Sequence, residues 1–150
     1  MADRQIHQEA IKKNMRIDHI ALYCIDLEAM REFWMKHFEC ISNEQYHNPR
    51  TGLRTYILSF AEDGGSAETS RSTRLEIMQR PEITESLLGQ YRAGFIHISM
   101  AVGSKEAVNN KTRELQDAGY ECLSGPRTTG DGYYESCIIG PEGILLEITV

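Results

Sequence analysis

The chain contains an internal repeat, and this feature limits its possible folds more than any other. Residues 38–42 read FECIS, and residues 120–124 read YECLS. Each pentapeptide follows a stretch with the apolar spacing of a helix, and each stretch follows a strand-like segment with a central histidine, His19 or His97. Matched features in the same order predict two structurally equivalent halves.

A glutamate between aliphatic residues closes each half. Glu76 lies in the sequence LEIM, and Glu147 lies in LEIT. Cys40 precedes Glu76 by 36 residues, whereas Cys122 precedes Glu147 by 25, and the polar segment 62–72 accounts for the difference of 11. We therefore predict an exposed loop over 62–72 that belongs to the first half only.

Hydrophobic periodicity predicts the order βαβββ in both halves. Period-two alternation indicates strands, and apolar residues at helical spacing indicate one helix after the N-capping Asp26 and another that ends at Gly119. The predicted strands are 17–24, 42–46, 53–60, 73–79, 95–102, 121–124, 133–139 and 144–150. The predicted fold class is α+β, with two tandem βαβββ repeats, 16–79 and 94–150, that form a cupped mixed sheet. They make a single domain over 15–150, preceded by an extension over 1–14.

Charge and composition exclude several classes of protein. The net charge of −6 argues against the basic surface that nucleic-acid binding requires. The sequence has no apolar run near the roughly 20 residues that span a bilayer, and residues 1–14 do not read as a secretory signal. The four cysteines form no C-x-x-C pair. We expect a cytoplasmic protein with reduced thiols and no nucleic-acid or membrane partner.

Strand alternation places four polar residues on the sheet faces that the helices do not cover. The aliphatic neighbours of His19 and His97 must face the helices, so both histidines face the other way. The same argument applies to Glu76 and Glu147, which lie between aliphatic residues. Two histidines and two glutamates are therefore expected on the concave faces of two related half-sheets.

Each of these residues has a simpler interpretation when it is taken alone. A single strand histidine is usually a hydrogen-bonded structural residue, and a glutamate between aliphatics is usually the exposed position of an alternating strand. Neither explanation accounts for all four at equivalent positions. Two neighbouring carboxylates would repel each other unless a cation lay between them, and imidazole with carboxylate suits Zn, Ni, Co, Fe or Mn. We predict one divalent metal bound by His19, Glu76, His97 and Glu147.

These residues, together with the closing GPEGILLE at 140–147, resemble the vicinal oxygen chelate superfamily, and glyoxalase I most closely. The resemblance covers 16–150, and the closing segment is similar to the family's DPDG…hydrophobic-E signature, with Gly140 in place of the usual Asp. It implies one octahedral metal held by the four residues, acting as a Lewis acid that stabilises an enediolate after proton abstraction. It also implies that Glu147 is the catalytic base.

The resemblance has consequences for assembly and substrate. Members of the superfamily often pair half-sheets between chains, which implies a homodimer and leaves open whether the ligands meet in one chain or across two. Glyoxalase I carries Arg four residues after the first histidine and Asn four residues after the first glutamate, where this chain has Tyr23 and Arg80. We therefore predict a metal-dependent lyase or isomerase of the glyoxalase type that acts on a small oxygen-chelating substrate other than a glutathione adduct.

Five residues are candidates for substrate contact. Tyr23 and Arg80 occupy the substituted positions, and Arg127, Tyr133 and Tyr134 lie in the polar and aromatic segment 124–136. The simpler interpretation of that segment is a β-hairpin with Asp-Gly at 131–132 in its turn.

Three other functions remain open. An extradiol dioxygenase would use iron with two histidines and one carboxylate, and the fourth ligand, Glu76, argues against it. An epimerase acting on an acyl-coenzyme A thioester would share the proton-abstraction chemistry. A drug-binding protein of the bleomycin resistance type would not be an enzyme and would need no metal, although all four ligand types are present here.

Overall fold

The computed structural model describes residues 17–60, 73–85 and 95–150. The predicted extension 1–14 and the predicted loop 62–72 lie outside the described residues. In chain order the elements are β1 (His19–Tyr23), α1 (Leu27–Phe38), β2 (Ile41–Ser42), β3 (Tyr46–Asn48), β4 (Leu53–Ser59), β5 (Arg74–Gln79), β6 (His97–Ala101), α2 (Lys105–Asp117), β7 (Glu121–Thr128), β8 (Tyr134–Ile139), the 3-10 turn Pro141–Gly143 and β9 (Leu145–Thr149).

The strands form two mixed sheets of the same design. One has the order β1-β5-β4-β2, with β3 also paired to β4, and the other has the order β6-β9-β8-β7. In both, the first strand of the half is parallel to the last, and the remaining pairs are antiparallel. Ala21 pairs with Glu76, and Ser99 pairs with Glu147. Because each glutamate is opposite the residue two places after the histidine, the α+β repeat is confirmed.

Each helix packs on strands of its own sheet other than the first strand of its half, which lies at the edge. Helix α1 packs on β4 and β5, and α2 packs on β7, β8 and β9. The core contains Trp34 and Leu58 from the first half and Leu115 and Ile148 from the second. Strand alternation predicts that the helix covers Ile20, but 37% of the Ile20 surface is exposed. The reason is that Ile20 lies on β1, beyond the strands that α1 covers.

The capping predictions agree with the structure. The Asp26 carboxylate accepts a hydrogen bond from the Ala29 amide at 2.9 Å, which satisfies a free donor in the first turn of α1. Gly119 follows α2 with a φ of +94°, the left-handed conformation that favours glycine.

Strand β7 is longer than its sequence predicted, because it continues past two irregularities in its pairing with β8. Gly125 lies within the second of them, between Ser124 and Arg127, with a φ of +84°. A Cβ atom at this position would lie 2.4 Å from the Glu135 carbonyl oxygen, so only glycine fits. The strand therefore carries Arg127 to a position opposite Glu135.

Side chains tie the two halves together. The Glu142 carboxylate accepts hydrogen bonds from the amides of Ile25 and Asp26, both at 2.7 Å, and so joins the last turn of the chain to the start of α1. His37 Nδ1 lies 2.7 Å from Glu114 Oε1, which joins the two helices.

The four cysteines are free thiols. Cys24 is buried, and burial, reinforced by the charges of Glu142 and Asp26, raises the pKa of its thiol to about 12. An uncharged, buried thiol is a poor nucleophile. None of the described helices is long and apolar enough to cross a membrane.

Candidate metal centre

The first half brings His19 and Glu76 together on the face of its sheet that α1 does not cover. His19 Nε2 lies 3.6 Å from Glu76 Oε2, with 42% and 20% of the two side chains exposed. The parallel pairing of β1 with β5 produces this contact. Glu76 is opposite Ala21, and His19, two residues before Ala21, has its side chain on the same face of the sheet.

The second half repeats this arrangement almost without change. His97 Nε2 lies 3.6 Å from Glu147 Oε2, and 41% and 23% of the two side chains are exposed. Equal distances and nearly equal exposures at repeat-related positions show that each half carries the same pair of side chains. We call them the first pair (His19, Glu76) and the second pair (His97, Glu147).

The two pairs do not meet within one chain. Over residues 17–60, 73–85 and 95–150, no three His, Cys, Asp or Glu side chains are grouped closely enough to hold a metal ion. An open groove of about 1570 Å³ between the halves is lined by both first strands, but its walls include neither Glu76 nor Glu147. The groove is lined by His97 and Ser99 but by neither glutamate, so each histidine–glutamate pair is complete only on the open face of its sheet.

In the first pair, neighbouring side chains restrain the histidine. Asp18 Oδ2 accepts a hydrogen bond from His19 Nδ1 at 3.0 Å, and the Arg74 guanidinium also binds this carboxylate. A carboxylate on Nδ1 fixes the ring and leaves Nε2 as the nitrogen that can bind a ligand. Alternation alone would have placed Asp18 on the opposite face. It reaches His19 because it lies just before the strand begins.

In the second pair, a neighbouring side chain restrains the glutamate. The Ser99 hydroxyl donates a hydrogen bond to Glu147 Oε1 at 2.7 Å. Glu135 lies close by on β8, and burial, followed by the negative charge of Glu147, raises the pKa of its carboxyl group. Arg127 Nη2 is 4.0 Å from Glu135 Oε1 and partly offsets this repulsion. The sequence analysis missed Ser99 and Glu135, although Ser99 follows His97 by two residues and so had to share its face.

The candidate substrate contacts have different surroundings. Tyr23 is exposed on the same face as His19, and its hydroxyl lies beside the Arg80 guanidinium. Arg80 also pairs with Glu82, at 3.1 Å between Nη2 and Oε1. These contacts raise the pKa of Arg80, those with Glu82 most strongly. Tyr23 and Arg80 thus form one cluster near the first pair.

The remaining candidates are spread over both faces of the second sheet. Arg127 lies on the face of Glu147, through its pairing with Glu135. Tyr133 is exposed in the hairpin turn, where Gly132 has a φ of +95° as the Asp-Gly turn predicted. The Tyr134 hydroxyl donates to Asn109 of α2 at 2.8 Å, so the structure places this ring on the helix side, away from the second pair.

The donor atoms of each pair suit a divalent cation. At 3.6 Å, the histidine nitrogen and the carboxylate oxygen are too far apart for a good hydrogen bond. Two ligands at the roughly 2.0–2.2 Å typical of zinc sites would be separated by about 3.0–3.5 Å, close to the observed spacing. Each pair therefore has the spacing of two ligands in a metal site, and it contains two of the four residues that the sequence predicted as ligands.

Comparison with known proteins agrees with this architecture. Residues 16–148 match the model of the Glyoxalase/Bleomycin resistance protein/Dioxygenase superfamily. The uncharacterised protein YqjT of Bacillus subtilis is 26% identical over 133 residues, which cover 87% of this chain and 94% of YqjT.

Two solved structures show the same fold at low identity. The trypanothione-dependent glyoxalase I of Leishmania major has a TM-score of 0.70 and 16% identity, over 91% of this chain and 86% of that one. The fosfomycin resistance protein FosX of Listeria monocytogenes has a TM-score of 0.62 and 16% identity, over 93% and 92% of the two chains. With the family model covering nearly all of the sequence, the chain belongs to the Glyoxalase/Bleomycin resistance protein/Dioxygenase superfamily.

Proposed function

We propose that this protein is a metal-dependent enzyme of the glyoxalase type whose metal site is built from two copies of the chain. The first pair of one copy and the second pair of the other would supply the four ligands. The observation that carries the proposal is the duplicated pair, with the same 3.6 Å separation in both halves.

The exposed edges of the sheets support assembly from two copies. Among the described strands, β1 pairs only with β5 and β6 pairs only with β9, so each keeps one edge for a further strand. Such edges readily pair with another chain. Ile17 and Ile20 beside the first pair, and Phe95 and Ile96 beside the second, are exposed apolar residues that an association along these edges would cover.

The proposed chemistry is proton transfer at a carbon next to a carbonyl group. A bound divalent cation would supply Lewis-acid stabilisation of the charge that develops on the substrate oxygens. Glu147 would take the proton through its carboxylate and return it to the neighbouring carbon. Tyr23 and Arg80, near the first pair, would contact the rest of a small substrate and replace the groups that glyoxalase I uses for glutathione.

A complementation experiment tests whether two copies share the site. His19→Ala and His97→Ala would each damage one ligand pair, so either variant alone should bind Co²⁺ weakly. In a heterodimer of the two variants, one site receives an intact first pair and an intact second pair. Random exchange of subunits in an equal mixture should therefore restore about a quarter of the wild-type sites.

Titration of the metal-depleted proteins with Co²⁺, followed by its visible absorption, measures this recovery. A mixture that binds no more Co²⁺ than the separate variants would contradict a shared site. Equal retention of Co²⁺ by wild type and both variants would contradict the metal site itself. The size of the wild-type protein in solution, measured by light scattering, should correspond to a dimer.

The substrate class requires its own test. The metal-loaded protein should act on 2-oxoaldehydes or their thiol adducts, with a preference for adducts of small thiols over that of glutathione. Acyl-coenzyme A thioesters and catechols test the epimerase and dioxygenase alternatives. Tight binding of bleomycin by the metal-free protein, without turnover of any of these compounds, would favour the drug-binding alternative.

A further inference from the structure

The two ligand pairs differ in one hydroxyl group. Ser99 occupies the position opposite Glu147, whereas Ala21 occupies the equivalent position opposite Glu76. The Ser99 hydroxyl donates to Glu147 Oε1 at 2.7 Å. The methyl side chain of Ala21 has no donor, so the residue paired with Glu76 cannot hold its carboxylate in the same way.

The hydrogen bond divides the two oxygens of Glu147 between two neighbours. Oε1 accepts from Ser99, and Oε2 lies 3.6 Å from His97 Nε2. A hydroxyl bonded to an ionised carboxylate forms one of the stronger hydrogen bonds in proteins, and 2.7 Å is an ordinary length for such a bond. The hydrogen bond therefore restrains the carboxylate so that Oε2 is the oxygen that faces the histidine.

We propose that Ser99 is a positioning residue for the metal site, and this inference rests on the proposed function. It holds Glu147 through Oε1, so that Oε2 is presented beside His97 Nε2 before any ligand arrives. In the first pair the restraint acts on the other member, since Asp18 fixes His19 through Nδ1. Each pair thus has one restrained ligand, a histidine in the first half and a glutamate in the second.

Metal binding by four variants tests the role of the hydroxyl. Thr and Val have the same shape and differ by a hydroxyl against a methyl group, so Ser99→Thr and Ser99→Val isolate the hydrogen bond. Ser99→Ala removes the side chain with little change in packing, because residue 99 is exposed. Ala21→Ser adds a donor at the equivalent position opposite Glu76, so it tests whether the same bond can restrain that carboxylate.

The probe is Co²⁺ alone, added to metal-depleted protein, with the visible absorption giving both affinity and ligand geometry. We expect Ser99→Ala and Ser99→Val to weaken Co²⁺ binding about 10- to 100-fold and to change the absorption bands, as loss of an outer partner does in other metal sites. Ser99→Thr should bind Co²⁺ with wild-type affinity, and Ala21→Ser should bind it at least as tightly because the added hydroxyl can restrain Glu76. Thermal denaturation without metal should show that all four variants fold.

Two results would overturn the inference in different ways. If Ser99→Val and Ser99→Thr bind Co²⁺ equally well and with the same spectrum, the hydroxyl does not position Glu147, while the metal site stands. If the wild type binds Co²⁺ no better than His97→Ala, the metal site fails and the role of Ser99 fails with it.

Discussion

Glu147 and Glu76 are equivalent by position but not by environment. Glu147 has a serine on one side and the Glu135 carboxyl on the other, whereas Glu76 is opposite an alanine. The proposed function gives the two residues different roles, with Glu147 as the base and Glu76 as a ligand only.

Replacement of each glutamate by glutamine should separate proton transfer from metal retention. Glu147→Gln keeps an oxygen donor but removes the charge and the basicity, so turnover should fall about 10²- to 10⁴-fold while some metal remains bound. Glu76→Gln should lose a comparable amount of metal with a smaller fall in rate. Turnover and metal content must be measured on the same preparations. Equal losses of rate at equal metal occupancy would mean that the base is another residue.

Strand alternation was sufficient to place the two histidines and two glutamates, because period-two geometry decides which face a strand residue occupies. It did not identify Asp18, whose side chain turns to His19 from outside the strand. It also could not show that the second pair has Glu135 beside it, since that contact depends on the register of β8 against β9. Register across an irregular hairpin is set by tertiary packing, which a local pattern does not contain.

The ends of the two helices offer a comparison of the same turn with different residues. Helix α1 is followed by Glu39 with a φ of +51°, and α2 is followed by Ala118 and then Gly119 at +94°. A left-handed conformation costs a residue with a side chain about 1–2 kcal/mol, and glycine avoids most of this cost. The Glu39 side chain is exposed, so few contacts offset the strain.

We expect Glu39→Gly to raise the free energy of unfolding by about 0.5–1 kcal/mol, because the relief of strain exceeds the added flexibility of the unfolded chain. Urea denaturation measures the change. Gly119→Ala is the reverse control and should lower stability, since open space surrounds its added Cβ and only the backbone is strained. A Glu39→Gly protein less stable than wild type would indicate that the glutamate side chain stabilises the turn.

The contact between α1 and α2 should give stability a defined pH dependence. Burial alone would raise the pKa of Glu114, but hydrogen bonds from Lys111 and His37 outweigh it and lower the pKa below its usual value. A carboxyl group with a lowered folded-state pKa contributes stability above its ordinary pKa, and this contribution is lost as the pH falls through the folded-state value.

Glu114→Gln should therefore be less stable than wild type at pH 7, by about 0.5–1.5 kcal/mol, and the difference should shrink as the pH is lowered through 4. Urea denaturation at a series of pH values measures this effect. Glu32→Gln, at an exposed position on α1, is the control and should follow the wild-type profile. A Glu114→Gln difference that stays constant down to pH 3 would exclude the ionised carboxylate as its source.

At the level of elements, the sequence predicted the repeat well and the strand lengths less well. The helices and the first and last strands of each half are set by clear periodicity, and the structure has them within a few residues. Between them, one predicted strand over 42–46 is two short strands, and β7 continues to Thr128 instead of ending near Ser124. These strands lie at sheet edges and irregular pairings, where partner contacts decide the length.

The Glu142 carboxylate is the clearest link between the halves of the molecule. It accepts two backbone hydrogen bonds from residues more than 100 positions earlier, at the end of β1. Glu142→Gln keeps one acceptor and loses the charge, so we expect it to lower the free energy of unfolding by about 1–3 kcal/mol. If the halves still unfold together, the urea dependence will be unchanged, whereas a second transition would show that Glu142 couples their unfolding.

Each chain brings its candidate ligands together only in pairs. In the proposed assembly, the fraction of sites that hold metal would therefore depend on the concentration of the protein as well as on that of the metal. A cation that bridges two copies stabilises the dimer, and by thermodynamic linkage the dimer raises the affinity for the cation by the same factor. Dilution of the protein and chelation of the metal would then have the same result, separate chains with empty half-sites. The amount of protein in the cell, and not only the supply of metal, would decide how much of it is active.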